Sequence, residues 1–415
     1  MAHFLTLQPV EAILARIAEF SPCPAETVSL EDGLGRTLAA SFLAPEDLPG
    51  FDRSAMDGFA VRARDVFGAS EGAPALLEVA GEVVMGERPA LTLGPGQCAR
   101  IWTGGMLPAG ADAVVMLEYA RGAGPGQVEL TRPAAPGDNV ILHDQDAAKG
   151  QELIPAGRVL RPQEIGLFAA LGQTALTVRR RPRVAVISSG DEVLPVDAVP
   201  GPGQVRDVNT YTLTALARLT GAEARSFGLV GDDRRKLAEA LNAALGYADV
   251  VLLSGGSSAG QRDFTVEALA ALPGCDILAH GVAISPGKPL IMARLGDTSL
   301  WGLPGHVAGA LVCAEVFIRP LLRRLLGQPG SPEPWRGQIR AELARPVASA
   351  QGRRDYIRVA LEPPLTENGP LLARPVLGKS GLISTLVAAD GMVVCPEDRE
   401  GLYQGEVLQV HLQVL

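Results

Sequence analysis

Lysine is scarce in this chain. Its 415 residues include only Lys149, Lys236, Lys288 and Lys379, so a site that needs a compact ammonium for an oxyanion has few positions to draw on. Basic residues number 37 against 46 acidic ones, a formal net charge of -9. A general nucleic-acid-binding surface needs an excess of Lys and Arg, and this balance excludes one. Local positive charge around a small anionic ligand is still allowed. The five cysteines are scattered, odd in number and free of CxxC spacing. That excludes a disulfide framework or a zinc knuckle and points to the reducing cytosol. The five histidines are dispersed, with no pair at metal-ligand spacing. No apolar run approaches the ~20 residues needed to span a membrane. The opening MAHFLTLQPVEAILARI carries Glu11 early and lacks a basic start, so it reads as an amphipathic helix and not as a signal peptide. A cytoplasmic protein that contacts neither membrane nor nucleic acid is expected.

What is present fits an ordinary multidomain protein. Hydrophobic residues make up 47% and charged residues 20%, enough for sizeable cores. At ~150 residues per domain the length suggests about three domains. Val10, Ile13, Leu14 and Ile17 fall on one face of a helix within residues 8–20. Residues 47–146 alternate short apolar runs with Gly- and Pro-rich turns, which predicts a β-rich lobe. PQEIGLFAALG predicts a further helix. From Arg183 onward strands alternate with helices: RVAVIS, then a helix capped by Asn209, then ARSFGLV, DDRRKLAEALNAAL, DVVLLS and DFTVEALAAL. LIMARL, SLWGL and a long apolar helix follow. This is the pattern of βαβ units, a mostly parallel sheet with helices on both faces. The Pro-rich QPGSPEPW leads into a small β-domain.

Ligands of open parallel sheets bind beyond the carboxyl ends of the strands, and three such ends have chemical character. VAVISSGDEV places Ser188, Ser189 and Gly190 in a tight polar turn, followed by Asp191 and Glu192. Carboxylates beside an anion-binding loop suit Mg2+ held against phosphates, and solvated acids on a surface turn are the other reading. VVLLSGGSSAGQRDF offers Gly255, Gly256, Ser257 and Ser258, whose N–H and hydroxyl donors suit an anion. Its Asp263 is either a helix cap or a metal or ligand contact. SPGKP presents Lys288 on a rigid turn, and GLPGH (Pro304, Gly305, His306) opens the long helix. In the lobe, FDRSAMDGFAVR carries Asp57, WTGG carries Thr103 and QDA carries Asp146. Read from the residues, the chain binds an anionic, phosphate-bearing ligand with carboxylates available for a divalent metal.

Taken together and in order, FDRSAMDGFAVR, TGGMLPAGADAVVM, SSGDEV, SGGSSAGQRDF, SPGKP, GLPG and KSGLISTLVAADGMVVCPE resemble the molybdopterin molybdenumtransferases, the MoeA-type enzymes related to the E domain of gephyrin. The resemblance implies an α/β plus β fold. It implies an elongated subunit with a three-layer αβα molybdopterin-binding domain (181–327), a β-rich lobe (47–146), a discontinuous linker domain (1–46 and 147–180) and a C-terminal β-domain (328–415). It further implies a homodimer whose site lies between the α/β domain and the lobe of the other subunit. The implied reaction inserts molybdate into adenylated molybdopterin, with Mg2+-dependent release of AMP. Asp57, Thr103, Asp146, Glu192, Asp263 and Lys288 are the implied catalytic residues, with Glu192 and Asp263 near the metal. Ser188, Gly190, Gly255, Gly256, Ser257, Ser258, Pro304, Gly305 and His306 are the implied ligand-binding set. The implied partners are molybdopterin adenylyltransferase and molybdoenzyme apoproteins. The chain departs from the family's usual residues at Ile141, Ser285, His306 and Val307, among others. Those departures give weight to a second reading, a paralogue that carries molybdopterin or its cofactor, and tungstate in place of molybdate is a third.

Overall fold

The computed structural model describes residues 6–255, 264–329, 337–364, 366 and 369–413. They form two compact units. One comprises Met1–Ala40, Ala156–Arg161 and Ala175–Leu415, and the other Ser41–Pro155 and Pro162–Thr174.

The larger unit contains the expected α/β sheet. Its six strands run in the order Glu223–Val230, Arg183–Ser189, Val250–Ser254, Thr298–Leu303, Ile291–Leu295 and Asp276–His280. The first four are parallel. Ile291–Leu295 pairs antiparallel with Thr298–Leu303, and Asp276–His280, the edge strand, pairs antiparallel with Ile291–Leu295. Only Gly296 and Asp297 separate Ile291–Leu295 from Thr298–Leu303, and a loop that short can join only antiparallel neighbours. The central strands are buried on both faces, and the period of two is visible in their packing. Val184 and Val186 face a core with Leu213, Leu216, Val312 and Phe317. Ala185 and Ile187 face another with Leu237, Leu241 and Leu269. Helices Asn209–Leu219 and Val307–Cys313 therefore cover one side, and Arg234–Leu245 and Phe264–Ala270 the other. The N-terminal helix Val10–Ala18 buries Val10, Ile13 and Ile17 in the first of these cores, the face that its sequence spacing predicts.

The long apolar helix is interrupted. A π-turn over Ala314–Ile318 separates Val307–Cys313 from Arg319–Leu325. Pro320 has no N–H to give the preceding turn, which accounts for the slip in hydrogen-bond register there.

The C-terminal strands Arg354–Glu362, Leu372–Pro375, Gln338–Leu343, Val407–Leu412 and Gly391–Cys395 pair in that order, and the last pairs back onto the first. The sheet closes into a small barrel around Leu343, Val359, Val393 and Val410. The short strand Ile284–Ser285 leaves the α/β domain and adds to this barrel, placing Ser285 beside Asp355. That pairing fixes where the SPGKP turn lies.

The smaller unit is built on a six-stranded sheet in the order Ala113–Met116, Gly58–Val61, Gln97–Ile101, Ala75–Glu82, Gln127–Leu130 and Ala120–Gly124. Its two faces bury separate clusters, one around Phe59, Val61 and Leu130 and the other around Ala60, Ala99 and Ile101. The helix expected from PQEIGLFAALG is Pro162–Ala170, and its Phe168 ring packs at a tilt against Phe42. Among the described residues, no helix is long and apolar enough to cross a membrane.

Candidate functional site

Two cavities open at the carboxyl end of the α/β sheet, both in the larger unit. The first, about 880 Å³, is lined by Ser188, Glu192, Gly255, Lys288, Pro304, Gly305 and His306, together with Arg206, Asp207 and Asn209. The second, about 480 Å³, lies between the SPGKP turn and the C-terminal barrel. Lys288, Pro289, Pro304 and His306 line both.

The floor of the first cavity is a polar network. Ser188 Oγ donates to Asp207 Oδ1 at 3.1 Å, and that oxygen also accepts the Thr210 N–H. Asp207 therefore caps the helix. The cap expected from sequence, Asn209, is itself the first helical residue. Its amide donates instead to Ser254 Oγ at 2.6 Å and to the Gly305 carbonyl at 2.8 Å. One side chain thus ties together two of the loops that sequence singled out. Asn209 is 7% exposed, and its Oδ1 has no partner among the described residues, which leaves one buried acceptor available to a ligand N–H.

Glycine is required where these loops meet. Gly255 has φ +105°, and a Cβ there would stand 2.1 Å from the Ser189 carbonyl oxygen. Gly287 has φ +127° and sits directly on Cys313 and Ile284, 2.6 Å from each if it carried a Cβ. The Cys313 thiol donates to the Gly287 carbonyl at 3.5 Å, so the turn that presents Lys288 is packed from below. Lys288 is exposed to both cavities and pairs with no carboxylate among the described residues.

Gly190 does not line the cavity. Its N–H donates to the Val230 carbonyl at 3.1 Å, and its missing Cβ makes room for the Glu192 carboxylate. Asp191 Oδ1 accepts the Asp232 N–H at 2.9 Å. Burial, then the charges of Asp191 and Glu192, raise the Asp232 carboxyl above its ordinary value, so three carboxylates crowd one corner of the strand ends. Gly256, Ser257, Ser258 and Asp263 lie outside the described residues.

The second cavity contains cations that the sequence reading missed. Arg353 Nε lies 3.0 Å from Asp355 Oδ1, a matched pair. Arg358 donates from Nη2 to the Gly378 carbonyl at 2.9 Å, while its Nη1 is buried without a partner among the described residues. Burial alone lowers the Arg358 pKa. With Lys288 the cavity holds three cations against the single carboxylate of Asp355 among the described residues that line it, so that lining carries excess positive charge. Ser380, from the tail motif, adds a hydroxyl to this lining, and its carbonyl accepts the Ala308 N–H of the long helix at 3.0 Å. The sequence signal for Arg358 is weak, a charged residue in a strand that reads as ordinary alternation.

In the smaller unit Asp57 and Thr103 form a hook. The Thr103 N–H and Oγ–H donate to Asp57 Oδ1 at 2.8 and 2.7 Å. The Thr103 hydroxyl and then its N–H lower the Asp57 pKa. A carboxyl depressed in this way keeps its bonds throughout neutral pH and loses them only as the pH falls through the folded-state value. Gly58 follows because a Cβ there would stand 2.1 Å from the Val115 carbonyl oxygen. Segments 48–55 and 139–147 run side by side, with Ala55 N–H bonded to the Asn139 carbonyl and Asp146 N–H to the Leu48 carbonyl. The loop that carries Asp146 is therefore anchored to the segment that leads into Asp57.

Comparison with known proteins agrees along the chain. Residues 8–172 match the MoeA N-terminal region (domain I and II), residues 185–324 a molybdopterin binding domain, and residues 340–413 the MoeA C-terminal region (domain IV). A molybdopterin molybdenumtransferase of Nostoc sp. is 40% identical over 76% of this chain and 73% of its own length. Molybdopterin molybdenumtransferase 2 of Mycobacterium tuberculosis is 35% identical over 94% of this chain and 95% of its own. The crystal structure of a molybdopterin biosynthesis MoeA protein from Pyrococcus horikoshii, 28% identical, superposes with a TM-score of 0.83 over 98% of this chain and all (100%) of that one. These matches bear out the resemblance carried by the sequence motifs and the multidomain α/β plus β fold it implied. The chain belongs to the molybdopterin molybdenumtransferase family, the MoeA family.

Proposed function

We propose that this protein inserts molybdate into adenylated molybdopterin, releasing AMP. The observation that carries the reading is the pair of joined cavities. One is large, with a polar floor and carboxylates at its edge, and the other is smaller with excess positive charge. They meet at Lys288 and His306. A pterin nucleotide fits the first, with Asn209 Oδ1 free to accept one of its N–H groups. A tetrahedral oxyanion fits the second, where Lys288, Arg358 and the Ser380 hydroxyl supply donors. Tungstate, a dianion of similar shape, would suit the same donors.

Mg2+ is part of this reading. Among the described residues no three His, Cys, Asp or Glu side chains form a metal cage. The corner of Asp191, Glu192 and Asp232 nevertheless fits a hard cation that keeps most of its waters and takes few protein oxygens. Glu192 would hold it, with Asp263 as the second expected ligand. When bound, the ion supplies charge neutralisation on the anhydride phosphates. The protein's own contribution is position: Ser188, Asp207, Asn209 and Ser254 fix the loops, and Lys288 faces the anionic oxygens. Asp57, Thr103 and Asp146 are assigned to the same reaction. The working form is taken to be a homodimer, supplied by molybdopterin adenylyltransferase and delivering to molybdoenzyme apoproteins.

Asp57→Ala tests the hook. Its carboxylate is exposed, so the fold should survive, with an unchanged melting temperature. Cofactor formation, read by reconstitution of an apo-molybdoenzyme, should fall by ~10²-fold or more, as for loss of one preorganised electrostatic group. Asp57→Asn keeps an acceptor for Thr103 and should fall less. Undiminished activity in Asp57→Ala would remove the hook from the reaction.

A further inference from the structure

We propose that His306 is a catalytic proton relay between the bound pterin dithiol and the oxyanion. The inference rests on the proposed metal insertion and adds a step to it.

Insertion has a proton requirement of its own. When a dithiol takes up tetrahedral molybdate, two S–H bonds and one molybdenum–oxo bond break. Two molybdenum–sulfur bonds and two O–H bonds form, and the oxygen leaves as water. The metal keeps its oxidation state, and the two thiol protons account for the water. The protons must therefore cross from sulfur, on the pterin side, to oxygen, on the oxyanion side. A group at the junction of the two cavities is placed to move them.

Four residues line both cavities, and two of them, Pro289 and Pro304, have no side-chain proton to move. Lys288 offers an ammonium, which has donors and no acceptor. His306 alone among the four can accept a proton at one ring nitrogen while donating one from the other. Its ring has no capping role at the helix it precedes, and among the described residues neither nitrogen is engaged. It is exposed to the cavities and held on one side by Gly381, whose missing Cβ position lies 3.7 Å from His306 Cδ2. The charged groups around it are Glu192, Arg206 and Asp207 in the first cavity, Arg353, Asp355 and Arg358 in the second, and Lys288 between them. Tyr356 also lines the second cavity, but burial raises its hydroxyl pKa to about 12, so it does not compete as a relay near neutrality.

The test is cofactor formation by the full-length protein and by His306→Ala, with adenylated molybdopterin, molybdate and Mg2+, with and without added imidazole. His306→Ala should be slower by ~10²-fold at saturating adenylated molybdopterin and should recover several-fold as imidazole is added. His306→Asn, which leaves no vacancy for imidazole, should be slow and should not recover. A parental rate in His306→Ala, or a loss that imidazole does not restore, overturns the relay and leaves metal insertion standing. A parent protein that forms no cofactor under any of these conditions overturns both.

Discussion

Arg358→Ala loses cofactor formation at molybdate concentrations that saturate the parent protein, and higher molybdate restores part of it. The expectation follows from the electrostatics of the smaller cavity. Arg353 is matched by Asp355 at 3.0 Å, so its charge is largely cancelled. Among the described residues Arg358 has no carboxylate partner and one buried Nη without any partner, and burial lowers its pKa. A guanidinium left in that state is costly in the empty protein and favourable once an anion arrives. A hydrogen bond to a charged group is worth ~1.5–3 kcal/mol, or about 10- to 150-fold in affinity at 1.4 kcal/mol per factor of ten. The apparent molybdate requirement should rise by that factor in Arg358→Ala. The melting temperature should change little, because the substitution removes an uncompensated cation and only one hydrogen bond, to Gly378. Arg353→Ala should behave differently, because it strands Asp355, which is 8% exposed, with Ser349 Oγ as a remaining donor at 2.7 Å. It should unfold earlier. Equal molybdate dependence in Arg358→Ala and the parent would mean that the oxyanion binds elsewhere.

Gly255→Ala abolishes activity and destabilises the protein, whereas Gly305→Ala does neither. Both glycines lie in loops predicted to contact the ligand, yet their surroundings differ. A Cβ on Gly255 would stand 2.1 Å from the Ser189 carbonyl oxygen, on a backbone at φ +105°. That position is disfavoured for an L-residue by ~1–3 kcal/mol even without a clash. The clash is with backbone, so the Ser188–Ser189 loop must move away from Ser254. The movement would break the Asn209 bridge from Ser254 Oγ to the Gly305 carbonyl, and with it the floor of the cavity. A Cβ on Gly305 would meet only the Gly255 Cα at 3.6 Å, an ordinary contact. Thermal unfolding followed by circular dichroism should separate the two variants by several degrees, since ~1 kcal/mol moves a domain of this size by about 2–4 °C. If Gly255→Ala keeps the parental melting temperature and activity, the loops are not held as described.

Much of this architecture is legible in the amino-acid order. Alternating strands and helices after Arg183, the N-terminal helix face and the strand-end loops all rest on local spacing, and local spacing survives in the structure. The motif order also identified the family. The second cavity was not legible for a physical reason. It exists because Ile284–Ser285 leaves the α/β domain to pair with Arg354–Asp355, a contact across some seventy positions that no local pattern announces. Arg358 and Ser380 become site residues only through that pairing. Asn209 was misread on similar grounds. An Asn before an apolar periodic run is a good N-cap signal, but Asp207 takes that role, and the Asn209 amide is drawn to Ser254 and Gly305, far away in sequence. Gly190 was grouped with the anion-binding donors because of its loop. In the structure its N–H goes to Val230, and its small size serves Glu192.

The central claim is that the two cavities hold the two substrates of one reaction. It is tested most directly by incubating purified protein with adenylated molybdopterin and Mg2+, with and without molybdate, and measuring AMP together with cofactor transferable to an apo-molybdoenzyme. Molybdate-dependent AMP release with active cofactor is the predicted result. Tight binding of the nucleotide with no AMP released, and none when tungstate replaces molybdate, would contradict it and indicate a protein that carries the cofactor without completing it.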